Sequence, residues 1–222
     1  YAELARKQYL LEIEKACNNC LGSKESRKKS ISFYRKIYKK SKNNRTKAIA
    51  LFQMAHLNRL IGNDKKSEAL FLKAVKFYSK KDRHILAEAH GGLVEIYYAR
   101  GQFSRVIKHA RIALNLNSLS KPGFVKYRMA WALLNTGNSS EASKNLIEIL
   151  KEPKFLSVVS DGKQLVDKSF QQDVAKDLSL FLARGKVGEE EINVIKSLSP
   201  ENKVFENLFY LGQELSRFGS YS

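Results

Sequence analysis

Apolar residues recur three or four positions apart along most of this chain, and a glycine interrupts them at intervals of about one helical length. Leu51, Met54 and Ala55 precede Gly62, and Phe71, Ala74 and Val75 follow it. Leu93, Val94 and Tyr97 precede Gly101, with Phe103, Val106, Ala110, Ala113 and Leu114 beyond. Met129, Ala130 and Leu133 come before Gly137, then Ala142, Leu146, Ile149 and Leu150, closed by Pro153. Residues three and four apart share a face of a helix, so each run predicts one amphipathic helix. A glycine just past the last apolar position predicts where that helix stops, because it adopts the left-handed backbone that reverses the chain.

With each glycine at the fifteenth place of a repeat, repeats start at Ala48, Ala87, Gly123, Gln171 and Phe205. The repeat at Gln171 is the faintest, running through Val174, Leu178, Phe181, Gly185, Val187, Val194 and Leu198 to Pro200. The last shows Leu208, Leu211, Gly212 and Leu215, then Gly219, and only its first half is written. Small residues at the eighth place, Ala55, Ala130 and Gly212, let a second helix cross closely. The starts lie 39, 36, 48 and 34 residues apart, and the longest interval holds an extra stretch, Phe155 to Phe170, expected as an inserted helix or ordered loop. Residues 1–47 predict an N-terminal helix pair, near Ala2 to Cys20 and Glu25 to Lys42, serving as a degenerate first repeat or a cap. Three well-matched repeats then occupy 48–153, the insert 154–170, and one weak repeat with half of another 171–222. A start at Tyr1 and a stop in mid-repeat lead us to expect a fragment of a longer protein.

This order of places resembles the tetratricopeptide repeat (TPR) family, whose 34-residue signature runs Trp, Leu, Gly and Tyr, then Ala, Phe, Ala and a closing Pro. The resemblance covers roughly residues 48–222. It implies an all-α, right-handed superhelical solenoid of antiparallel helix pairs, used as a noncatalytic scaffold or adaptor. In that family the first helices line a concave groove through places two, five, nine, twelve and thirteen. Carried onto this chain, those places give Phe52, His56 and Arg59, then Glu88, Glu95 and Tyr98, then Phe124, Tyr127, Trp131 and Asn135. The last set puts three aromatics on one face, as a peptide-binding hot spot requires, each worth roughly 2 kcal/mol on truncation. Either the groove is open there, or the segment from Phe155 to Phe170 covers it. The carboxylate clamp of TPR co-chaperones maps onto Phe52, His56, Gly92, Phe124 and Arg128, where only Arg128 matches, so a bound segment would be gripped by aromatics and a few charges. The stretch from Tyr127 to Gly137 is similar to repeats in bacterial cell-envelope TPR proteins, which tilts the expected location toward a periplasm.

Charge changes the picture at the N-terminal end. Residues 1–47 carry 14 Lys and Arg against 4 acids, whereas 171–222 carry 6 against 8. No Asp or Glu occurs from Ser26 to Asn63, a stretch that includes Arg27, Lys28, Arg35, Lys36, Lys39, Lys40 and Lys42. Two readings follow: a solvated basic face, or a surface that docks on nucleic acid, anionic lipid or an acidic protein segment. Self-association within a larger assembly is a further alternative to a groove partner.

The remaining chemistry is sparse. His56, His84, His90 and His109 form no His-Glu-x-x-His zinc pattern, and neither a Gly-x-Ser-x-Gly elbow nor a phosphate-binding glycine loop occurs. Cys17 and Cys20 lack two further metal ligands nearby. Gly91 and Gly92 sit inside a first helix, where they admit a close neighbour. Glu189, Glu190 and Glu191 open a predicted helix and complement its dipole. The reading is therefore a nonenzyme, with no cofactor and no small-molecule substrate. No apolar run approaches the roughly 18 residues of a membrane helix.

Overall fold

The computed structural model describes residues 21–77, 82–160 and 163–218. The predicted helix from Ala2 to Cys20, with both cysteines, lies outside the described residues. The chain divides into two compact units, Tyr1–Ile96 with Leu116–Ser118, and Tyr97–Asn115 with Leu119–Ser222.

The first unit contains α1 (Leu21–Lys40), α2 (Asn44–Leu60), α3 (Asp64–Lys76) and most of α4 (Arg83–Ala99). Asn43 begins α2 by accepting the Thr46 amide on its side chain at 3.1 Å, which satisfies one orphan donor of the first turn. Leu51, Met54 and Leu57 on α2 close onto Ile31 and Tyr34 of α1 and Ala74 of α3, so a single apolar cluster binds three successive helices. The small residue expected at the crossing is in place. Ala55 is fully buried, and Ser67 of α3 donates its hydroxyl to the Ala55 carbonyl at 2.7 Å. Gly92 of α4 serves the same purpose, since a Cβ built there would fall 2.6 Å from Cε2 of the buried Phe71.

The second unit holds the last turn of α4, then α5 (Phe103–Asn115), α6 (Pro122–Asn135), α7 (Ser139–Lys151), the single turn α8 (Pro153–Leu156), a hairpin of β1 (Ser157–Ser160) and β2 (Lys163–Val166), α9 (Lys168–Leu182), α10 (Glu189–Leu198), a 3-10 turn (Glu201–Lys203) and α11 (Val204–Phe218). From α5 onward consecutive helices pack on one another, and α9 also packs on α7 and on α11. Ala130 of α6 and Ala142, Leu146 and Ile149 of α7 are fully buried. Ile195 and Leu211 join α10 to α11 in a second cluster with Ala183.

Three of the repeat glycines perform the predicted reversal. Gly62, Gly101 and Gly137 have φ of +81°, +66° and +84°. Each is flanked by the same two bonds: the glycine amide to the carbonyl three residues back, and the next amide to the carbonyl five back, as in Asn138 to Leu133 at 2.9 Å. Gly185 differs. Its φ is not positive, because α10 starts only at Glu189 and no tight reversal is needed.

The insert also departs from expectation. Instead of a helix or loop, it is one helical turn followed by an antiparallel hairpin in which Ser157 pairs with Val166. The signal was the Asp161-Gly162 pair, a composition typical of two-residue hairpin connections, between short segments carrying Val158, Val159 and Val166. That pair lies outside the described residues.

Candidate protein-interaction faces

In the second unit the predicted aromatic set lies on α6, and α9 covers much of it. Phe124 stacks on Phe170 with centroids 4.3 Å apart, and Tyr127 meets the same ring edge-on at 5.6 Å. Trp131 stands edge-on against Phe181 at 4.9 Å, and Phe181 is completely buried. One carboxylate binds the group together. Asp177 Oδ2 accepts the Tyr127 hydroxyl and, at 3.1 Å, the Trp131 indole N–H. Burial pushes the Asp177 carboxyl above the usual carboxylate range, and its two donors pull it back only in part. Burial, then the bond to Asp177, raises the Tyr127 phenol as well. The phenol therefore stays a donor, and the cluster is a fixed hydrogen-bonded set rather than three loose rings.

Of the two arrangements the sequence left open, the structure shows coverage, but its agent is mainly the helix after the insert. Only Phe170 belongs to the stretch expected to do it. Phe155 and Leu156 are buried elsewhere: the Phe155 carbonyl carbon would lie 2.8 Å from a Cβ at Gly123, and its ring takes Lys126 Nζ at 4.9 Å. Lys126 itself is nearly buried and pairs with Glu148 at 2.7 Å.

What remains accessible on this face is a rim. Phe124 keeps 38% of its surface exposed, with Lys121 Nζ 5.5 Å from its ring. The Arg128 guanidinium lies 4.4 Å from the centre of the Tyr98 ring, and Tyr98 packs edge-on against Phe103. Asn135 is exposed and donates to the Trp131 carbonyl at 2.8 Å. Asp173 is exposed one turn from Asp177. Sequence reasoning missed Asp177, which occupies a place where the pattern calls for an apolar residue. The stripe Phe170, Val174, Leu178 and Phe181 would have placed it beside two aromatics.

In the first unit, Phe52 stacks with His56 at 6.4 Å and leans on Phe71 at 5.8 Å, so it is partly drawn into the core. His56, Arg59 and Glu95 are half-buried. The basic residues on α1 divide. Lys28, Arg35, Lys36, Lys39 and Lys40 are exposed, as is Lys42 just past the helix, but Arg27 is half-buried and donates to the Leu60 carbonyl at 2.5 Å. Arg27 thus ties α1 to α2 and leaves the expected basic surface to the others.

Two further features bear on chemistry. A cleft of about 340 Å³ opens between α7, α9 and α10, lined by Ser143, Lys144, Phe181, Lys186 and Glu190 among others, and none of the predicted groove residues lines it. Glu191 accepts the Gly188 amide at 2.8 Å, a contact that lowers its carboxyl below the ordinary range and gives this acid a helix-start duty. Among the described residues, no group of three His, Cys, Asp or Glu is placed to hold a metal, and no helix is long and apolar enough to cross a membrane.

Two solved structures match over nearly the whole chain. Both are of a kinesin light chain-type protein from Podosopora anserina with nearly identical TPR-like repeats, one of them a variant with a single substitution. Each covers 99% of this chain and 95% of its own at 12% identity, with TM-scores of 0.54 for the variant and 0.53 for the other. The fold is TPR-like. No protein-family model and no curated protein matches the sequence. TPR-like folds generally serve as protein-interaction scaffolds and are typically noncatalytic. The comparisons give no support to a bacterial cell-envelope relation.

Proposed function

We propose that this chain is a noncatalytic scaffold that holds a partner polypeptide segment on the first-helix face of its second unit. The observation that carries this reading is the rim of Tyr98, Arg128, Phe124 and Asn135 around the fixed set of Tyr127, Asp177 and Trp131. Aromatic edges beside two cations, Lys121 and Arg128, and the exposed Asp173 suit a segment with apolar anchors and charges of both signs. Because the rings are already locked, binding loses little side-chain entropy. In the first unit, Phe52, His56, Arg59 and Glu95 are proposed to contact a partner in the same manner.

Tyr127 is tied to α9, so a photoreactive residue belongs at Phe124. Capture of one defined polypeptide that Arg128→Glu abolishes, with the melting midpoint unchanged, supports the reading. Capture that ignores Arg128→Glu and Tyr98→Ala together would overturn it.

A second reading rests on α1. Lys28, Arg35 and Lys39 follow one another at spacings of seven and four, which puts them on one exposed face in a stretch without acids. That stripe is proposed to dock on an anionic polymer or surface. Binding to a random duplex and to anionic vesicles is measured against salt, with a log–log slope of roughly −0.9 per neutralised phosphate expected for the duplex. Binding that is unchanged by Lys28→Glu, Arg35→Glu and Lys39→Glu together refutes it. A cell-envelope setting rests on the similarity of residues 127–137 alone, and cell fractionation checks it.

A further inference from the structure

The cleft between α7, α9 and α10 lies inside the second unit, and each of its walls is a helix with both ends described. α7 and α10 enter it by their N-terminal halves, and α9 by its last turn. It stays open because α7 brings small side chains there, Ser139, Ser140 and Ser143, and because the passage from Leu182 to Glu189 starts α10 away from the end of α9. The floor is apolar. Phe181 is completely buried, with Ile147, Leu182 and Val194 half-buried around it.

Polar groups on the lining lack the partners that such positions normally have. Ser143 is 7% exposed, and its hydroxyl has no hydrogen-bond partner among the described residues, whereas a hydroxyl so far removed from water is usually paired. The amides of Ser139 and Ser140, in the first turn of α7, have no acceptor there either, and the exposed Lys144 amine pairs with no acid. The α7 side of the cleft therefore offers donors, a cation and the positive end of a helix dipole. The other side carries the opposite sign. α9 ends there with the partial negative charge of its last carbonyls, and Glu190 pairs with no cation among the described residues. Lys186 and Glu191 add one charge of each sign, and Glu191 already accepts the Gly188 amide.

We propose that this cleft binds a free α-amino acid with an apolar side chain. The carboxylate takes the Ser143 hydroxyl, the first amides of α7 and the Lys144 amine, the ammonium takes Glu190 and the end of α9, and the side chain covers Phe181, Ile147 and Val194. A cleft of about 340 Å³ is at the small end for ligand sites, which suits a molecule of about ten non-hydrogen atoms. At the efficiency of small ligands its dissociation constant is on the order of 0.1–1 mM. Of the contacts behind the α6 face, the cleft shares only Phe181, so either reading can fail alone.

Amide chemical shifts of the whole nitrogen-labelled chain test it, titrated to about 20 mM with L-leucine, with L-leucinamide, which lacks the carboxylate, and with N-acetyl-L-leucine, which lacks the ammonium. Saturable shifts at Ser140, Ser143 and Gly185 are expected, with leucine bound at least roughly fivefold more tightly than either analogue. Lys144→Glu should erase the advantage over leucinamide, and Glu190→Lys the advantage over N-acetylleucine, both at exposed positions where folding is undisturbed. Glycine, without a side chain for the floor, should bind at least roughly fivefold more weakly than leucine. Absence of saturable leucine shifts overturns the proposal. So does equal binding of leucine and both analogues, or leucine binding that ignores Lys144→Glu and Glu190→Lys alike.

Discussion

Trp131→Ala separates an open binding anchor from a structural one, because an open anchor could be removed without unfolding anything. Truncating a buried tryptophan costs about 3–5 kcal/mol. Trp131 is only half-buried, so the lost contact with Phe181 amounts to about 2 kcal/mol. The indole N–H also leaves Asp177 with one donor fewer inside a partly buried site, about 1 kcal/mol more. Together these give about 3 kcal/mol. For a chain of this size each kcal/mol moves the midpoint by roughly 2–4 °C, so the variant should melt roughly 6–12 °C lower. Trp131→Phe keeps a ring against Phe181 and loses only the donor, for a fall of roughly 2–4 °C. Circular dichroism follows the helices. Because the chain has one tryptophan, wild-type fluorescence reports the α6–α9 contact alone and should change in the same transition. A midpoint for Trp131→Ala within about 1 °C of wild type would refute the coverage argument and restore the residue as a free anchor.

Three other outcomes follow from the same contacts. Since the folded state raises the Asp177 carboxyl, it holds that proton more tightly than the unfolded chain does, and this contribution is greatest at acid pH and lost as pH rises from about 4 through the folded value. Urea midpoints between about pH 4 and 7 should show that decline flattened in Asp177→Asn, and Tyr127→Phe should likewise flatten the loss of stability above about pH 10. Gly92→Ala should destabilise the first unit by about 1–3 kcal/mol in thermal melts, because the added carbon enters the space of the Phe71 ring. Glu148→Ala strands the nearly buried Lys126 amine and should cost about 1–3 kcal/mol by urea titration, whereas Lys126→Met should be close to neutral.

The helix pairs were legible because their cause is local. Gly62, Gly101 and Gly137 mark turns that depend on six consecutive residues, and the alanines at Ala55 and Ala130 mark crossings inside one pair. The covering of α6 was not legible for the opposite reason. Asp177 lies 46 residues beyond Trp131, in the repeat with the faintest pattern, and its polarity reads as an exposed position unless its two donors are already known. Phe124, Tyr127 and Trp131 look the same in sequence whether they face solvent or the next first helix. Arg27 misleads similarly, since its charge counts toward a basic surface while its guanidinium is turned into the α1–α2 contact. The hairpin was missed because a repeat frame predisposes every apolar run to be read as helix.

Coverage also determines what sort of partner the α6 face can hold. Had the three aromatics been free, a partner could have buried them fully and reached tight affinity from apolar area. With Tyr127 and Trp131 already spent on α9, the accessible groups are a phenylalanine edge with the Lys121 amine beside it, a guanidinium on Tyr98, an amide and the Asp173 carboxylate. Exposed charges contribute little net affinity and act mainly on encounter rate and register. A segment held there should therefore bind weakly, with an association rate that falls as salt rises and a dissociation rate that barely changes. Raising salt from about 0.05 to 0.5 M, which shortens the screening length from above 10 Å toward 3 Å, checks this directly in stopped-flow binding. An affinity insensitive to salt would mean that α9 moves aside on binding and the aromatics themselves are the contact.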